Sequence, residues 1–129
     1  MTRDEIRVPE LAEPISHFTD AVRAGGFLHV SGIVAVDGEG RLVGGDDVVA
    51  QARQVLENVR AVLAAGECGF DDVVKMTIYL TDIDDRPLIN PLRQEVFGDS
   101  RPASTLVEVP RLAVEGAKVE IECVALVPK

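Results

Sequence analysis

The stretch DDVVAQARQVLENVRAVLAAG, residues 46–66, is where the chain changes period and where its fold is decided. Val48, Val49, Ala52, Val55, Leu56, Val59, Val62 and Leu63 recur at spacings of three and four, with Gln51, Arg53, Gln54, Glu57 and Arg60 between them. That spacing winds the apolar side chains onto one stripe of an α-helix and leaves the polar ones outside it. Asp46 or Asp47 is expected to accept the free amides of the first turn, and Gly66 to end the helix in the left-handed conformation.

Outward from this helix the period falls to two. Val73 to Leu80 reads as a strand, with Met76, Ile78 and Leu80 on one side and Lys75, Thr77 and Tyr79 on the other. A second helix is predicted from Asp84-Asp85-Arg86-Pro87 through about Phe97, with Pro87 tolerated in its first turn and Pro91 a source of a kink. Ser104 to Val109 is extended. Lys118 to Val127 alternates Val119, Ile121, Cys123, Ala125 and Val127 against Glu120, Glu122, Val124 and Leu126. On the amino-terminal side, Phe18 to Val22 and Phe27 to Val30 flank Arg23-Ala24-Gly25-Gly26, which is a hairpin signal. Residues 1–14 show no period and read as an arm. The order β-β-α-β-α-β-β predicts an α+β domain over residues 1–129 with both helices on one sheet face. The other face would then stand open and half apolar, which calls for a second copy of the chain.

Composition narrows the function. With 13 basic and 22 acidic residues in 129, the net charge of −9 repels a phosphate backbone, so nucleic-acid binding is not expected. No apolar run approaches the roughly 20 residues that span a bilayer, and the charged start MTRDEIRVPELAEP is unlike a secretory signal. A cytoplasmic protein is the expectation. Cys68 and Cys123 match no zinc or redox spacing, and two histidines are too few for a histidine metal site, so no metal is expected. No phosphate-binding loop or nucleophile elbow is present. Cys123 reads as core, Cys68 as an incidental loop residue and His29 as packed or at an interface. Glu120 and Glu122 share a face of an otherwise apolar strand. They are either rim carboxylates or, with one of them buried in a pocket, a general base or water holder.

Several segments together resemble the RidA (YjgF, formerly L-PSP endoribonuclease) family. They are Ala21 to Gly32 (AVRAGGFLHVSG), Gln51 to Val59, Asp72 to Asp82 (DVVKMTIYLTD), Ile89-Asn90, Arg101-Pro102-Ala103, Val107-Glu108-Val109 and Val119 to Glu122, in the family's order. The resemblance implies a chorismate-mutase-like protomer with a mixed sheet, a homotrimer, and small-molecule clefts between neighbouring subunits. It also implies hydrolysis of reactive enamines or imines to a carbonyl compound and ammonia, without metal or cofactor. In that pattern a glutamate holding the attacking water matches Glu120, and Asn90 and the Ser31-Gly32 turn match other cleft positions. The sequence departs from the family at two places. The arginine that grips a substrate carboxylate in many members is replaced by Ser104, and the cleft tyrosine by Phe18, preceded by His17.

The implied site therefore has Glu120 as catalytic residue and His17 as a proton donor in the tyrosine's stead. Phe18, Ser31, Gly32, Tyr79, Asn90, Ser104, Thr105 and Leu106 would contact substrate. Arg93, Arg101 and Arg111 are the available substitutes for the missing guanidinium. A hydrolase that works without the usual clamp is one reading. A non-catalytic module that binds a small metabolite on the same scaffold is the other. The ribonuclease activity in the family's older name fits poorly with the charge and with one tyrosine, four phenylalanines and no tryptophan.

Overall fold

The structure, a computed structural model, describes residues 2–129. Its strands are β1 (Arg3–Ile6), β2 (Ala21–Ala24), β3 (Phe27–Ile33), β4 (Val73–Leu80), β5 (Ala103–Glu108) and β6 (Val119–Leu126); its helices are α1 (Val48–Ala65) and α2 (Arg86–Phe97). The strands form one mixed sheet in the order β1-β2-β3-β6-β4-β5, antiparallel everywhere except between β4 and β5. β3 and β4 both run antiparallel to β6, so they are parallel to each other with the last strand in the slot between them. Parallel strands need a long crossover, and α1 and α2 supply the two this sheet requires.

Alternation decides what each strand buries. Leu28 and Val30 of β3, Met76, Ile78 and Leu80 of β4, and Val119, Ile121, Cys123 and Ala125 of β6 point toward the helices and are nearly all inaccessible to water. Val55, Val59, Val62 and Leu63 of α1 meet them. Both cysteines are free thiols in this core; Cys68 does lie in the loop after α1, but it is buried there, so its reading as incidental is corrected. Burial, the largest cause, pushes the Cys123 thiol up to about 12, leaving it inert at neutral pH. No helix among the described residues is long and apolar enough to cross a membrane.

Four expectations are corrected by the structure. The amino-terminal arm contributes β1, which pairs with β2 from Arg3↔Ala24 to Ile6↔Ala21. β2 starts at Ala21 rather than Phe18, because Asp20 is pulled inward; its carboxylate accepts from Arg7 Nη1 at 2.7 Å and from the Val8 amide at 2.8 Å. The second helix starts at Arg86, after a separate turn of 3₁₀ helix over Ile83–Asp85. Asp47 does cap α1, accepting from the amides of Val49 and Ala50, but Gly66 does not adopt the left-handed conformation. Glu67 does, at φ 65°. Gly66 is needed for another reason, since a Cβ there would lie 2.4 Å from Cδ2 of the buried Leu28.

Polar residues on α1 also differ from the amphipathic reading. Gln51 is fully buried. Its Nε2 donates to the carbonyls of Gly45 (2.7 Å) and Gly116 (3.0 Å), and its Oε1 accepts from the Lys118 amide (2.8 Å). Asn58, likewise buried, donates to the carbonyls of Val34 and Val36. Such amides satisfy loop carbonyls that would otherwise be stranded away from water.

Candidate active site

β3 and β6 change register between Val30↔Cys123 and Ile33↔Ile121, so Ser31 and Gly32 together oppose Glu122. A bulge of this kind bends the strand and re-aims its side chains. Ser31 turns back to the preceding loop, its amide donating to the Asp20 carbonyl (3.0 Å) and its hydroxyl to the Thr19 carbonyl (2.5 Å). Gly32 meets Glu120. A Cβ on residue 32 would sit 2.4 Å from Glu120 Oε2, so any larger residue would push the carboxylate away from the β3 backbone.

This contact floors a cavity of about 370 Å³, within the usual range for a small-molecule site. Its walls come from the segment between Leu11 and Phe18, from Ser31 to Val34, from Asn58 of α1 and from Ala113 and Val114. The amino-terminal wall is fastened at its base. Arg7 bonds Asp20, the Val8 carbonyl and the Leu11 carbonyl, and pairs with Glu13 at 3.4 Å. Phe18 offers its half-exposed ring to the cavity. His17 is exposed and is not among the residues lining it, although Ser16 and Phe18 on either side are.

Electrostatics single out one carboxylate. Partial burial, and then the Glu122 charge beside it, raise the Glu120 pKa above the ordinary glutamate value. The Tyr79 hydroxyl donates to Glu122 Oε1 at 3.1 Å and so holds the second carboxylate in place. Burial, that hydrogen bond and the two glutamate charges push the Tyr79 phenol up in turn. Glu120 is thus a half-buried carboxylate with a raised pKa lining the cavity, beside the Gly32 backbone that no side chain shields.

The remaining expected site residues lie elsewhere. β4 pairs Met76 with both Cys123 and Ser104, and pairs Tyr79 with both Glu120 and Val107. Residues paired directly across strands share a face, so Ser104 and Leu106 are on the helix side of the sheet, while Glu120, Tyr79 and Thr105 are on the open side. Within one protomer, then, the sheet separates Ser104 from Glu120. Asn90 is exposed on α2, on the Ser104 side, and Arg93 Nη2 donates to Ser104 Oγ at 2.8 Å. Thr105 accepts from Lys75 Nζ at 2.7 Å. Arg101 and Arg111 are exposed, with no ion pair among the described residues. Asp20 and Asn58 were missed by sequence reading as parts of the site. Asn58 carried a signal, since it sits on the stripe 51, 55, 58, 62 where a helix facing a core is normally apolar.

Comparison with known proteins agrees with this architecture. Residues 9–127 match the family described as Endoribonuclease L-PSP. A RutC family protein of Pyrococcus horikoshii is 41 % identical over 114 residues, covering 88 % of this chain and 89 % of that one. The crystal structure of Escherichia coli TdcF with bound serine superposes with a TM-score of 0.86 at 31 % identity, over 95 % of this chain and 98 % of that one. RidA from an Antarctic Psychrobacter superposes with a TM-score of 0.87 at 30 % identity, over 95 % and 98 %.

Proposed function

The chain belongs to the endoribonuclease L-PSP (RidA/YjgF) family, and from that premise we propose that it is a homotrimeric hydrolase of reactive imines and enamines. The observation that carries the reading is the Glu120 carboxylate, desolvated and pressed on Gly32 at the floor of a cavity. Phe27, Val107 and Leu126 stand exposed on the open sheet face, and burying them between three copies removes that apolar surface from water. In such a trimer the two separated groups of residues meet across the subunit boundary. Glu120, Ser31, Gly32 and Phe18 of one copy face Asn90, Ser104 and Leu106 of the next, while Tyr79 braces Glu122 and Thr105 completes the polar rim.

The chemistry follows from the base. Glu120 accepts a proton from water as the water oxygen bonds to the imine carbon, and the imine nitrogen takes a proton from solvent. The resulting carbinolamine then loses ammonia, leaving a carbonyl compound. An enamine first takes a proton on its β-carbon and enters as the imine. A raised pKa suits a group that must take a proton and return it within one cycle.

The test uses imines made in place by an amino-acid oxidase, with release of the 2-keto acid followed over the uncatalysed rate. Wild type is expected to accelerate release, and Glu120→Gln to lose about 100- to 10,000-fold with the trimer intact. Full activity in Glu120→Gln would overturn the mechanism. A ligand that raises the melting temperature of wild type without being consumed would move the assignment to a metabolite-binding module.

A further inference from the structure

Three arginines are partly buried, and two of them are matched. Arg7 pairs with Asp20 and Glu13, and Arg23 lies 3.9 Å from Glu67 while donating to the Gly66 carbonyl. Arg93 is the exception. Among the described residues no carboxylate forms an ion pair with it, in a chain with nine more acidic than basic side chains. Its one side-chain hydrogen bond is the 2.8 Å contact from Nη2 to Ser104 Oγ; its Nε is buried without a partner, as are those of Arg7 and Arg23, so the missing counter-charge is what sets it apart from those two. A guanidinium carries five N–H donors in a planar fork and stays charged. Nη1 makes no hydrogen bond among the described residues, so this side of the fork is open to a planar anion such as a carboxylate. Burial pulls the Arg93 pKa down, as expected for a cation without a counter-charge.

Asn90 lies one turn before Arg93 on α2, so the two side chains share a helix face. Ser104 holds the fork from the neighbouring strand. We propose that Arg93, carried by α2 and steered by the Ser104 hydroxyl, is the anion-binding group of the cleft and selects substrates bearing a carboxylate. The guanidinium absent from position 104 of β5 is thereby supplied from the helix, and the small side chain at 104 is what leaves room for it. The substrate class becomes 2-imino acids rather than neutral imines. This inference rests on the shared cleft proposed above for its link to turnover, but anion binding by Arg93 stands on its own geometry.

The experiment has two arms, run on wild type, Arg93→Met, Arg93→Lys and Ser104→Ala. In the first, turnover is measured with 2-imino acids from an amino-acid oxidase and with neutral imines from an amine oxidase. Arg93→Met is expected to lose about 30-fold or more in kcat/KM for the imino acids, mainly through KM, with neutral imines unaffected. Arg93→Lys keeps the charge without the fork and should recover only part of the loss; Ser104→Ala should lose less than Arg93→Met. Equal losses on both substrate classes would overturn the assignment. The second arm needs no catalysis: pyruvate, and acetone as its neutral counterpart, are titrated calorimetrically. Pyruvate binding to wild type that disappears in Arg93→Met supports the site even if nothing is turned over, in which case the hydrolase reading alone fails. Pyruvate binding that is absent, or unchanged in Arg93→Met, overturns it.

Discussion

The two faces of β6 obey opposite rules although their residues alternate along one strand. Val119, Ile121, Cys123 and Ala125 are almost inaccessible and exchange freely with other apolar groups only at constant volume. Glu120, Glu122, Val124 and Leu126 face outward, mixed in polarity, and stay partly or largely exposed in the single protomer. The helix face is finished by this chain alone. The open face, where Glu120 lies, keeps Phe27, Val107 and Leu126 exposed in the single protomer. A strand that is rigid on one side can hold a carboxylate at a fixed height above the other, which a loop of the same composition would not do.

That contrast can be broken from either side. Ile121→Ala on the helix face should cost about 2–5 kcal/mol in denaturant unfolding, because the void it leaves is fully enclosed. Leu126→Glu on the open face should leave the protomer's own unfolding nearly unchanged and instead shift the assembly to monomers in light scattering. Equal unfolding losses in the two variants would mean that the faces are not distinct. A smaller contrast lies at the end of α1. Gly66→Ala forces a methyl against Leu28 and should cost about 1–3 kcal/mol. Glu67→Gly at the next residue relieves a left-handed backbone and should stabilise by about 1 kcal/mol or less. Thermal melts of the pair check the opposite signs.

The smallest effect is on pH dependence. Glu120 binds its proton more tightly in the folded chain than in the unfolded one, where a glutamate titrates near 4.5. The folded state therefore holds the extra proton just above that pH, and stability falls as pH rises through the raised pKa. Glu120→Gln should melt at or above the wild-type temperature at pH 7. The gap should close as the pH drops below 4.5. A variant less stable than wild type at pH 7 would show that the Glu120 charge is supported rather than strained.

Most of the frame was legible in the sequence. The three-four spacing of residues 48–63 marks α1, and the period of two marks β4 and β6, because both elements bury a single stripe or face. β1 was not legible, since Arg3-Asp4-Glu5-Ile6 is an edge strand with nothing to bury and no alternation to show. Glu120 and Glu122 on one face could be read from alternation. That Ser104 lies on the opposite side of the sheet could not, because it follows from how β5 and β6 register against β4, and no local pattern encodes that pairing. Arg93 was visible only as one of three arginines. Arg101 and Arg111 are equally unpaired but exposed; the distinction of Arg93 is partial burial without a counter-charge, which exists only once every element has been placed.

Gln51 gives the fold a property beyond packing. Its amide joins the loop before α1, the turn before β6 and the Lys118 amide through three hydrogen bonds made by one side chain. Lys118 stands two residues ahead of Glu120, so the register of β6 is pinned from a helix on the far side of the sheet. Exchange of the Lys118 amide with solvent deuterium should then be as slow as that of the strand interiors, because releasing it means lifting α1 away. Glu120 would then keep its position through every fluctuation short of global unfolding.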